Sequence, residues 1–335
     1  MNPGVSVVLP CHRGHGMFSR AVESCLNQTL DALELIIVLH RADDQAKKTA
    51  DHFRQVDARV QVLRSDGSFV EAVNAGHAAA KANFVARMDS DDVAFPSRFE
   101  CQLQFLETRP EIDVVSCLVK ITDPDGSDPR EGFAEYEQWV NSITRSEEIS
   151  AQRFVESPVV NPTAMFRRSA FDEVGGYRDT EWAEDYDLYL RLLESGRKIP
   201  KVPEVLHQWT DHAARVTRTQ DRYSLSNFQD AKAHFLSRID GVRTHGVVIL
   251  GAGPTGKSMA QRLRNRSTKI HAFYEVHPRR IGEHIGGVPV LDQKDFEKSE
   301  PVALGAVARR GLRAKVRGLA ESAGYREGLD FFSVA

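Results

Sequence analysis

Short β-branched runs and segments of helical periodicity alternate along the N-terminal part of the chain. The strand-like runs span 5–10, 33–39, 60–65 and 84–88, and the helical patterns between them span 18–30, 42–56 and 70–82. Such alternation predicts an α/β fold with a mostly parallel central sheet and helices on both faces. Because ligands bind beyond the carboxyl ends of parallel strands, the residues that directly follow these runs are the first candidates for a functional site.

Length and charge indicate two domains. The chain has 335 residues, more than a single core ordinarily organises. Residues 241–335 carry 16 Lys and Arg against 9 Asp and Glu, whereas residues 1–240 carry 28 against 38. We therefore expect one domain over 1–240 and a smaller one over 241–335. The near balance of the whole chain, 44 basic to 47 acidic residues, gives no reason to expect a nucleic-acid partner.

The sequence shows neither an apolar run of about 18 residues nor the pattern of a signal peptide. We therefore expect a cytoplasmic protein without a transmembrane segment. Any contact with the inner face of a membrane is expected to be peripheral.

Three carboxylates follow the fourth strand-like run within four positions: Asp89, Asp91 and Asp92. In an extended chain Asp89 and Asp91 point to the same side. Oxygen ligands of this kind suit Mn²⁺ or Mg²⁺. From the spacing alone, an Asp-rich turn that caps a helix beginning near Pro96 explains the cluster equally well.

The segment 67–115 resembles the donor-binding half of family 2 glycosyltransferases, which have the GT-A fold. The resemblance rests on the order and spacing of a strand that ends in proline, a Gln-Thr pair, an Ala-x-Asn-x-Gly helix, an Asp-x-Asp-Asp cluster, and a following Pro and Arg. In this sequence they are Pro10, Gln28 and Thr29, Ala72 to Gly76, Asp89 to Asp92, Pro96 and Arg98.

The resemblance implies a nucleoside-diphosphate-sugar donor whose diphosphate is held by Mn²⁺ or Mg²⁺, with Asp91 as the direct ligand and Asp89 beside it. The residues expected to bind the donor are Pro10, His12, Arg13, Asn74, Arg87, Asp89, Asp91 and Trp209. One departure concerns the base. Where the second strand of family members usually ends in Asp-Asp-Gly-Ser, residues 39–42 read Leu-His-Arg-Ala, so the acid that commonly contacts the base is missing.

A second acidic pair, Glu184 and Asp185, opens a helical pattern after the turn Gly175-Gly176-Tyr177. Acidic residues in a first helical turn are favoured by the helix dipole, so capping alone accounts for the pair. The resemblance implies instead that Asp185, with Glu184 beside it, is the catalytic base of an inverting transfer. A positioned carboxylate that takes the proton of a sugar hydroxyl contributes about 10²–10⁴-fold to the rate.

The segment 205–218 supplies further candidates. His212 matches a histidine that reaches the metal or the diphosphate in many family members, although a lone histidine is more often a surface or core residue. Trp209 either contacts a sugar or packs the loop. Arg215 and Arg218 are candidate phosphate contacts or solvated surface residues.

The C-terminal domain carries the dinucleotide fingerprint G-x-G-x-x-G at Gly251, Gly253 and Gly256, after one strand-like run, and Glu275 ends the next run. This spacing predicts a Rossmann-like α/β domain with phosphates at the helix N-terminus and an acid for a ribose. An NAD-type dinucleotide, a nucleotide sugar, or a purely structural role all remain open. Redox activity lacks a visible catalytic set of residues.

The sequence thus favours a metal-dependent inverting glycosyltransferase of polysaccharide biosynthesis, which moves a hexose from a nucleoside-diphosphate donor to a glycan or lipid-linked acceptor. A non-catalytic nucleotide-binding regulatory module is the second hypothesis. An NAD-dependent sugar oxidoreductase that works through the C-terminal domain is the third.

Overall fold

The structure is a computed structural model that describes residues 3–14, 16–129, 131–213, 215, 220–308 and 311–335. The chain forms two compact units. The first comprises residues 1–146, 159–180 and 184–219, and the second comprises 147–158, 181–183 and 220–335. The second unit therefore includes residues that precede position 241.

An eight-stranded mixed sheet forms the first unit, with the strand order β3-β2-β1-β4-β7-β6-β8-β5. Its strands are β1 (Val5–Cys11), β2 (Leu33–His40), β3 (Val60–Ser65), β4 (Phe84–Arg87), β5 (Val93–Ala94), β6 (Val114–Thr122), β7 (Met165–Arg167) and β8 (Lys201–Thr210). Strands β3, β2, β1 and β4 are parallel neighbours, as are β6 and β8, while β7 runs antiparallel to β4 and β6. The predicted α/β fold with a largely parallel sheet is confirmed.

The helices of the first unit lie on both faces of this sheet. They are α1 (Gly16–Leu26), α2 (Asp44–Val56), α3 (Phe69–Ala79), α4 (Arg98–Glu107), α5 (Glu131–Ser142), α7 (Arg168–Glu173) and α8 (Glu184–Glu194). Helix α6 (Ser146–Ala151) has all of its residues except Ser146 in the second unit. One core cluster joins Val7 and Leu9 of β1 to α1, α2 and α4, and another joins Val8 to α3. Because successive strand residues point to opposite faces, both faces of β1 are buried under helices.

A six-stranded sheet forms the second unit, in the order β11-β12-β10-β9-β13-β14. Its strands are β9 (Val247–Leu250), β10 (Ile270–Glu275), β11 (His284–Ile285), β12 (Val288–Asp292), β13 (Val302–Gly305) and β14 (Phe331–Ser333), and its helices are α9 (Leu225–Leu236), α10 (Asp240–His245), α11 (Pro254–Arg264) and α12 (Leu312–Ser322). Strand β9 pairs in parallel with β10 and β13, as in the predicted Rossmann-like domain, whose fold is confirmed. Among the described residues, no helix has the length and apolar character needed to cross a membrane.

Candidate active site

The acidic loop that follows β4 is the centre of the candidate site. Strand order reverses between β1 and β4, and ligands of α/β sheets bind at such a point beyond the carboxyl ends of the strands. One ligand oxygen from each of Asp89, Asp91 and Asp92 lies within 4.8 Å of those of the other two. The fold therefore gathers three carboxylates where a ligand is expected.

Asp89 is held by the residue two positions before it. The buried guanidinium of Arg87 donates from Nε (3.1 Å) and from Nη2 (2.7 Å) to Asp89 Oδ1. A charge-assisted fork of this kind fixes the carboxylate in one orientation. The predicted donor residues Arg87 and Asp89 are thus one structural unit.

Asp91 contacts two cationic or ionisable side chains from the segment after β8. His212 Nε2 lies 2.8 Å from Asp91 Oδ2, and Arg215 Nη1 lies 3.8 Å from the same oxygen. Burial raises the pKa of Asp91, but Arg215 and His212 outweigh it and hold the pKa below its usual range. The structure therefore brings His212 and Arg215 to the acidic loop, whereas Arg218 lies outside the described residues.

Asp92 is fully buried and both of its oxygens accept hydrogen bonds from β8. His207 Nε2 lies 3.0 Å from Oδ2, and the backbone N–H of Thr210 donates to Oδ1 at 2.9 Å. The other ring nitrogen of His207 faces the buried Arg98 guanidinium at 2.9 Å. Because arginine can only donate, His207 accepts at Nδ1 and donates its Nε2 proton to Asp92. Asp92 therefore ties the acidic loop to β8.

The donor set fits a hard divalent cation. Asp89 and Asp91 are partly exposed and supply carboxylate oxygens, and His212 supplies an imidazole nitrogen beside them. Carboxylate and imidazole ligands with open positions for water and phosphate suit Mn²⁺ or Mg²⁺. Asp92 contributes to the position of the loop, since its oxygens are already engaged.

The acidic pair at 184–185 begins α8. Glu184 is buried, Asp185 is partly exposed, and Asp185 Oδ1 accepts a hydrogen bond from the backbone N–H of Tyr186 at 2.7 Å. Burial, followed by the charges of Glu184 and Asp89, raises the pKa of Asp185 to about 7, with Arg87 opposing the rise. Asp185 thus lies within electrostatic reach of the acidic loop, and a carboxyl group with such a pKa can exchange protons near neutral pH.

Asn74, a predicted donor residue, makes a different contact. Its side chain donates from Nδ2 to Tyr177 O at 2.8 Å and accepts from Tyr177 N at 3.0 Å. Gly176 has φ of 61°, and a Cβ there would approach Asn74 Oδ1 to 2.9 Å. Asn74 therefore holds the turn that leads into α8, and the second glycine of that turn is required by both backbone and space.

Arg191 of α8 holds the same turn from the other side. It donates to the carbonyl oxygens of Val174 and Gly176 at 2.6 and 2.7 Å, and to Asp187 Oδ2 at 2.6 Å. Asp187 and Arg191, four residues apart on α8, thus form a buried ion pair. The helix that carries Asp185 is thereby fixed to the turn before it.

The edge beyond β1 and β2 is polar and carries no acidic side chain at the usual base-contact position. Pro10 is buried in β1, while His12 and Arg13 are exposed. His12 Nδ1 lies 3.0 Å from the carbonyl oxygen of His40, and Arg41, which adopts φ of 44°, donates to Asp66 O at 3.2 Å. His40 and Arg41 therefore occupy positions where the resemblance expects an acid, while the carboxylate of Asp43 at the same edge accepts from the backbone N–H groups of Gly14 and Ala46.

Trp209 of β8 lies in an aromatic cluster with α5. Its ring meets Phe133 and Tyr136 at centroid distances of 5.5 and 5.9 Å, and the Arg215 guanidinium lies 4.6 Å from its centroid. Trp209 therefore packs against α5 and supports Arg215, and its contact with the donor stays a prediction.

In the second unit, the glycine fingerprint forms its expected turn between β9 and α11. Gly251 has φ of 112°, and a Cβ on Gly256 would lie 2.0 Å from Gly251 O, so that only glycine permits this strand–helix contact. The middle residue, Gly253, precedes α11 as its N-cap. The turn geometry of the fingerprint is present.

The carboxylate of Glu275 is not free to bind a ribose, although the dinucleotide fingerprint predicts that it is. Its Oε1 accepts from the backbone N–H groups of Val276 (2.8 Å) and His277 (3.2 Å), and its Oε2 accepts from Ala252 N (3.2 Å) and Arg280 Nη1 (3.3 Å). A carboxylate offers about four acceptor positions, and all are engaged. The site therefore does not fit a dinucleotide whose ribose hydroxyls require Glu275.

Several residues of the site escaped sequence reasoning because their partners are distant in the chain. His207 meets Asp92, and Asn161 accepts hydrogen bonds from the hydroxyls of Tyr177 and Tyr189, both at 2.9 Å. The sequence of β8 gave one signal, since a histidine that a strand buries, as β8 buries His207, needs a polar partner.

Comparison with known proteins identifies the family. The model of Glycosyl transferase family 2 matches residues 6–175, about half of the chain, and the chain therefore belongs to this family. A second family model, described as CoA binding domain, matches residues 242–327.

Among curated proteins, the O-antigen biosynthesis glycosyltransferase WbnJ of Escherichia coli is 29% identical over 191 residues, which cover 56% of this chain and 71% of that protein. The amylovoran biosynthesis glycosyltransferase AmsE of Erwinia amylovora is 28% identical over 189 residues, 56% of this chain and 68% of the relative. The crystal structure of S. aureus TarS 1-349 in complex with UDP-GlcNAc aligns with a TM-score of 0.56 at 15% identity, covering 78% of this chain and 72% of that one. At this identity the likeness shows the fold alone, which is GT-A.

Proposed function

We propose that this family 2 glycosyltransferase is metal-dependent and inverting, and that it transfers a sugar from a nucleoside diphosphate to a hydroxyl of a glycan or lipid-linked acceptor. The observation that carries the proposal is the pairing of a carboxylate–imidazole donor set at Asp89, Asp91 and His212 with a partly buried carboxyl group at Asp185 whose pKa is raised to about 7. The printed names of WbnJ and AmsE, which refer to O-antigen and amylovoran biosynthesis, support a place in polysaccharide biosynthesis. We place this activity in the cytoplasm, at the inner face of the membrane.

The proposed step is a single displacement. Asp185 takes the proton of the acceptor hydroxyl as that oxygen bonds to the anomeric carbon, and the bond from the anomeric carbon to the diphosphate oxygen breaks. One displacement inverts the anomeric configuration and requires no covalent intermediate with the chain. A divalent ion bound at Asp89 and Asp91 would stabilise the negative charge of the leaving diphosphate.

The test is turnover of a panel of nucleotide sugars with and without MnCl₂. We expect turnover only with the ion, and we expect Asp91→Ala to lower the rate by about 100-fold or more, since a metal supplies several kcal/mol of charge stabilisation. Asp240→Ala is the matched control, because the Asp240 side chain is 87% exposed in the second unit. Full turnover by Asp91→Ala, or turnover unaffected by a chelator, would contradict the proposal.

A further inference from the structure

One hydrogen-bond donor of the Arg87 guanidinium, Nη1, has no partner among the described residues. The residue is only 3% exposed, and its Nε and Nη2 hold Asp89. Its Nη1 is buried and has no hydrogen-bond partner among the described residues. A buried donor on a charged group is costly to leave unpaired, so its retention beside the acidic loop points to a ligand that completes it.

The position of this donor is fixed before any ligand arrives. The backbone N–H of Arg87 donates to Ala164 O at 2.9 Å, and Arg98 donates to the carbonyl oxygen of Arg87 at 2.8 Å. The guanidinium lies 5.8 Å from the ring centroid of Phe69. With the backbone, the fork to Asp89 and this ring contact all in place, Nη1 is preorganised.

The guanidinium of Arg87 interacts electrostatically with both halves of the proposed site. Asp89 and Glu184 act on the guanidinium, and the guanidinium in turn opposes the rise in the pKa of Asp185. Arg87 is thus within electrostatic reach of the carboxylates proposed to hold the ion and of the proposed base. In the proposed reaction, the glycosyl ring lies between these two sets of carboxylates.

The charges around Arg87 also indicate which kind of ligand atom can accept a hydrogen bond from Nη1. The guanidinium interacts with the carboxylates of Asp89, Glu184 and Asp185, so its positive charge is already balanced by the protein. A neutral hydroxyl oxygen therefore suits the remaining donor, whereas the charge of the diphosphate would be balanced by the ion proposed at Asp89 and Asp91.

We infer that Arg87 binds the transferred sugar, with Nη1 donating a hydrogen bond to a ring hydroxyl of the donor while Nε and Nη2 hold Asp89. This inference rests on the proposed function and deepens it, because it assigns Arg87 to the glycosyl group and not to the diphosphate.

The experiment compares the affinities for two probes in MnCl₂, UDP-GlcNAc and UDP, with GDP-mannose and GDP as a second pair. The pair that the wild-type protein turns over is used for Arg87→Lys, which keeps the charge but loses Nη1. We expect affinity for the nucleotide sugar to fall by about 10-fold or more, the worth of a hydrogen bond to a charged group, while affinity for the free diphosphate stays within about twofold. Arg59→Lys is the matched control, since Arg59 forms the same fork with Asp57, two positions before it, away from the acidic loop.

Equal losses of affinity for the nucleotide sugar and the free diphosphate would show that Arg87 only supports Asp89. No loss of affinity for either probe would show that Nη1 does not contact the ligand. Both results overturn the inference. If Arg87→Lys fails to fold, monodeoxy analogues of the donor sugar are titrated into the wild-type protein, where loss of one hydroxyl must weaken binding by about 10-fold. Equal affinity for all the analogues overturns the inference as well. Absence of wild-type turnover with every nucleotide sugar is a failure of the proposed function and is seen before any variant is made.

Discussion

At the scale of single residues, Asp185 has the clearest consequence for pH. Its pKa is raised to about 7 by burial and by the charge of Glu184, and only the ionised form can take a proton. We expect kcat/KM, at saturating Mn²⁺, to rise about tenfold per pH unit below pH 7 and to level off above it. A profile that is flat from pH 5.5 to 8 in buffers of constant ionic strength would contradict the assignment of Asp185 as base.

The raised pKa of Asp185 also lowers the free energy of unfolding at neutral pH. The folded-state pKa of about 7 lies above the unfolded value of 3.8, so the folded state holds a proton that the unfolded chain has already released. Stability is therefore lost as pH rises between these two values and stays low above pH 7. Asp185→Asn removes this loss, and its free energy of unfolding should exceed that of the wild type at pH 8 on the order of 1–3 kcal/mol, with a smaller difference at pH 5.

Single residues also mark the limit of what the sequence could predict about the site. The positions of Asp89 and Asp91 after a strand, and of Asp185 at the start of a helix, made these residues candidates, and the family resemblance implied their chemistry. The role of Asp92 depends on His207, which is separated from it by 115 positions. No local pattern states that such a pair will meet, so the structural role of Asp92 could not be assigned from the sequence.

At the scale of elements, the turn 174–177 connects α3 to the helix that carries the proposed base. Asn74→Ala removes two hydrogen bonds to Tyr177 and should lower the free energy of unfolding by about 1–3 kcal/mol. It should also lower kcat, because the start of α8 loses its anchor, and both quantities are measured by chemical unfolding and initial rates.

The chain offers a closely matched control for this prediction. Asn141 makes the same pair of hydrogen bonds, at 3.0 and 2.8 Å, to the backbone of Val119 in β6. Asn141→Ala should cost a similar amount of stability and leave kcat unchanged. Equal losses of kcat in the two variants would mean that the turn does not position the base.

Elements were predictable where a short local run carries the signal. The runs that became β1 to β4 are short and contain aliphatic or β-branched residues, and the structure gives them nearly the predicted bounds. Helix α1 instead ends at Leu26, before the predicted residue 30, since the side chain of Gln28 donates to Ser24 O and Phe95 O. Strands β6, β7 and β8 pair across long intervals of sequence, and such pairings have no signature of local periodicity.

At the scale of the whole molecule, the two units differ in how far sequence motifs predicted their sites. The acidic motif of the first unit has side chains arranged for a cation. The fingerprint of the second unit has its glycine turn, but its acid is engaged by four donors from its own unit. A sequence motif predicts the local backbone. Whether its acidic side chain is free to bind a ligand depends on neighbouring residues such as Arg280.

A prediction follows for the second unit. NAD⁺ should not raise the melting temperature of the full chain, and Glu275→Gln should speed hydrogen exchange at the glycine turn, because about 1–3 kcal/mol of hydrogen bonding is lost. Exchange is read by peptide, since two units need not unfold as one. Glu283→Gln, at an exposed position, is the control. A melting shift with NAD⁺ that Glu275→Gln abolishes would restore the ribose-binding role.

In the proposed enzyme, a metal-held donor faces a proton acceptor at position 185. The most direct measurement determines, on one preparation of Asp185→Asn, both the transfer rate and the affinity for the nucleotide sugar in MnCl₂, beside the wild-type protein. We predict a rate at least about 100-fold lower with affinity within about threefold of wild type. Transfer at the wild-type rate by this variant would contradict the account.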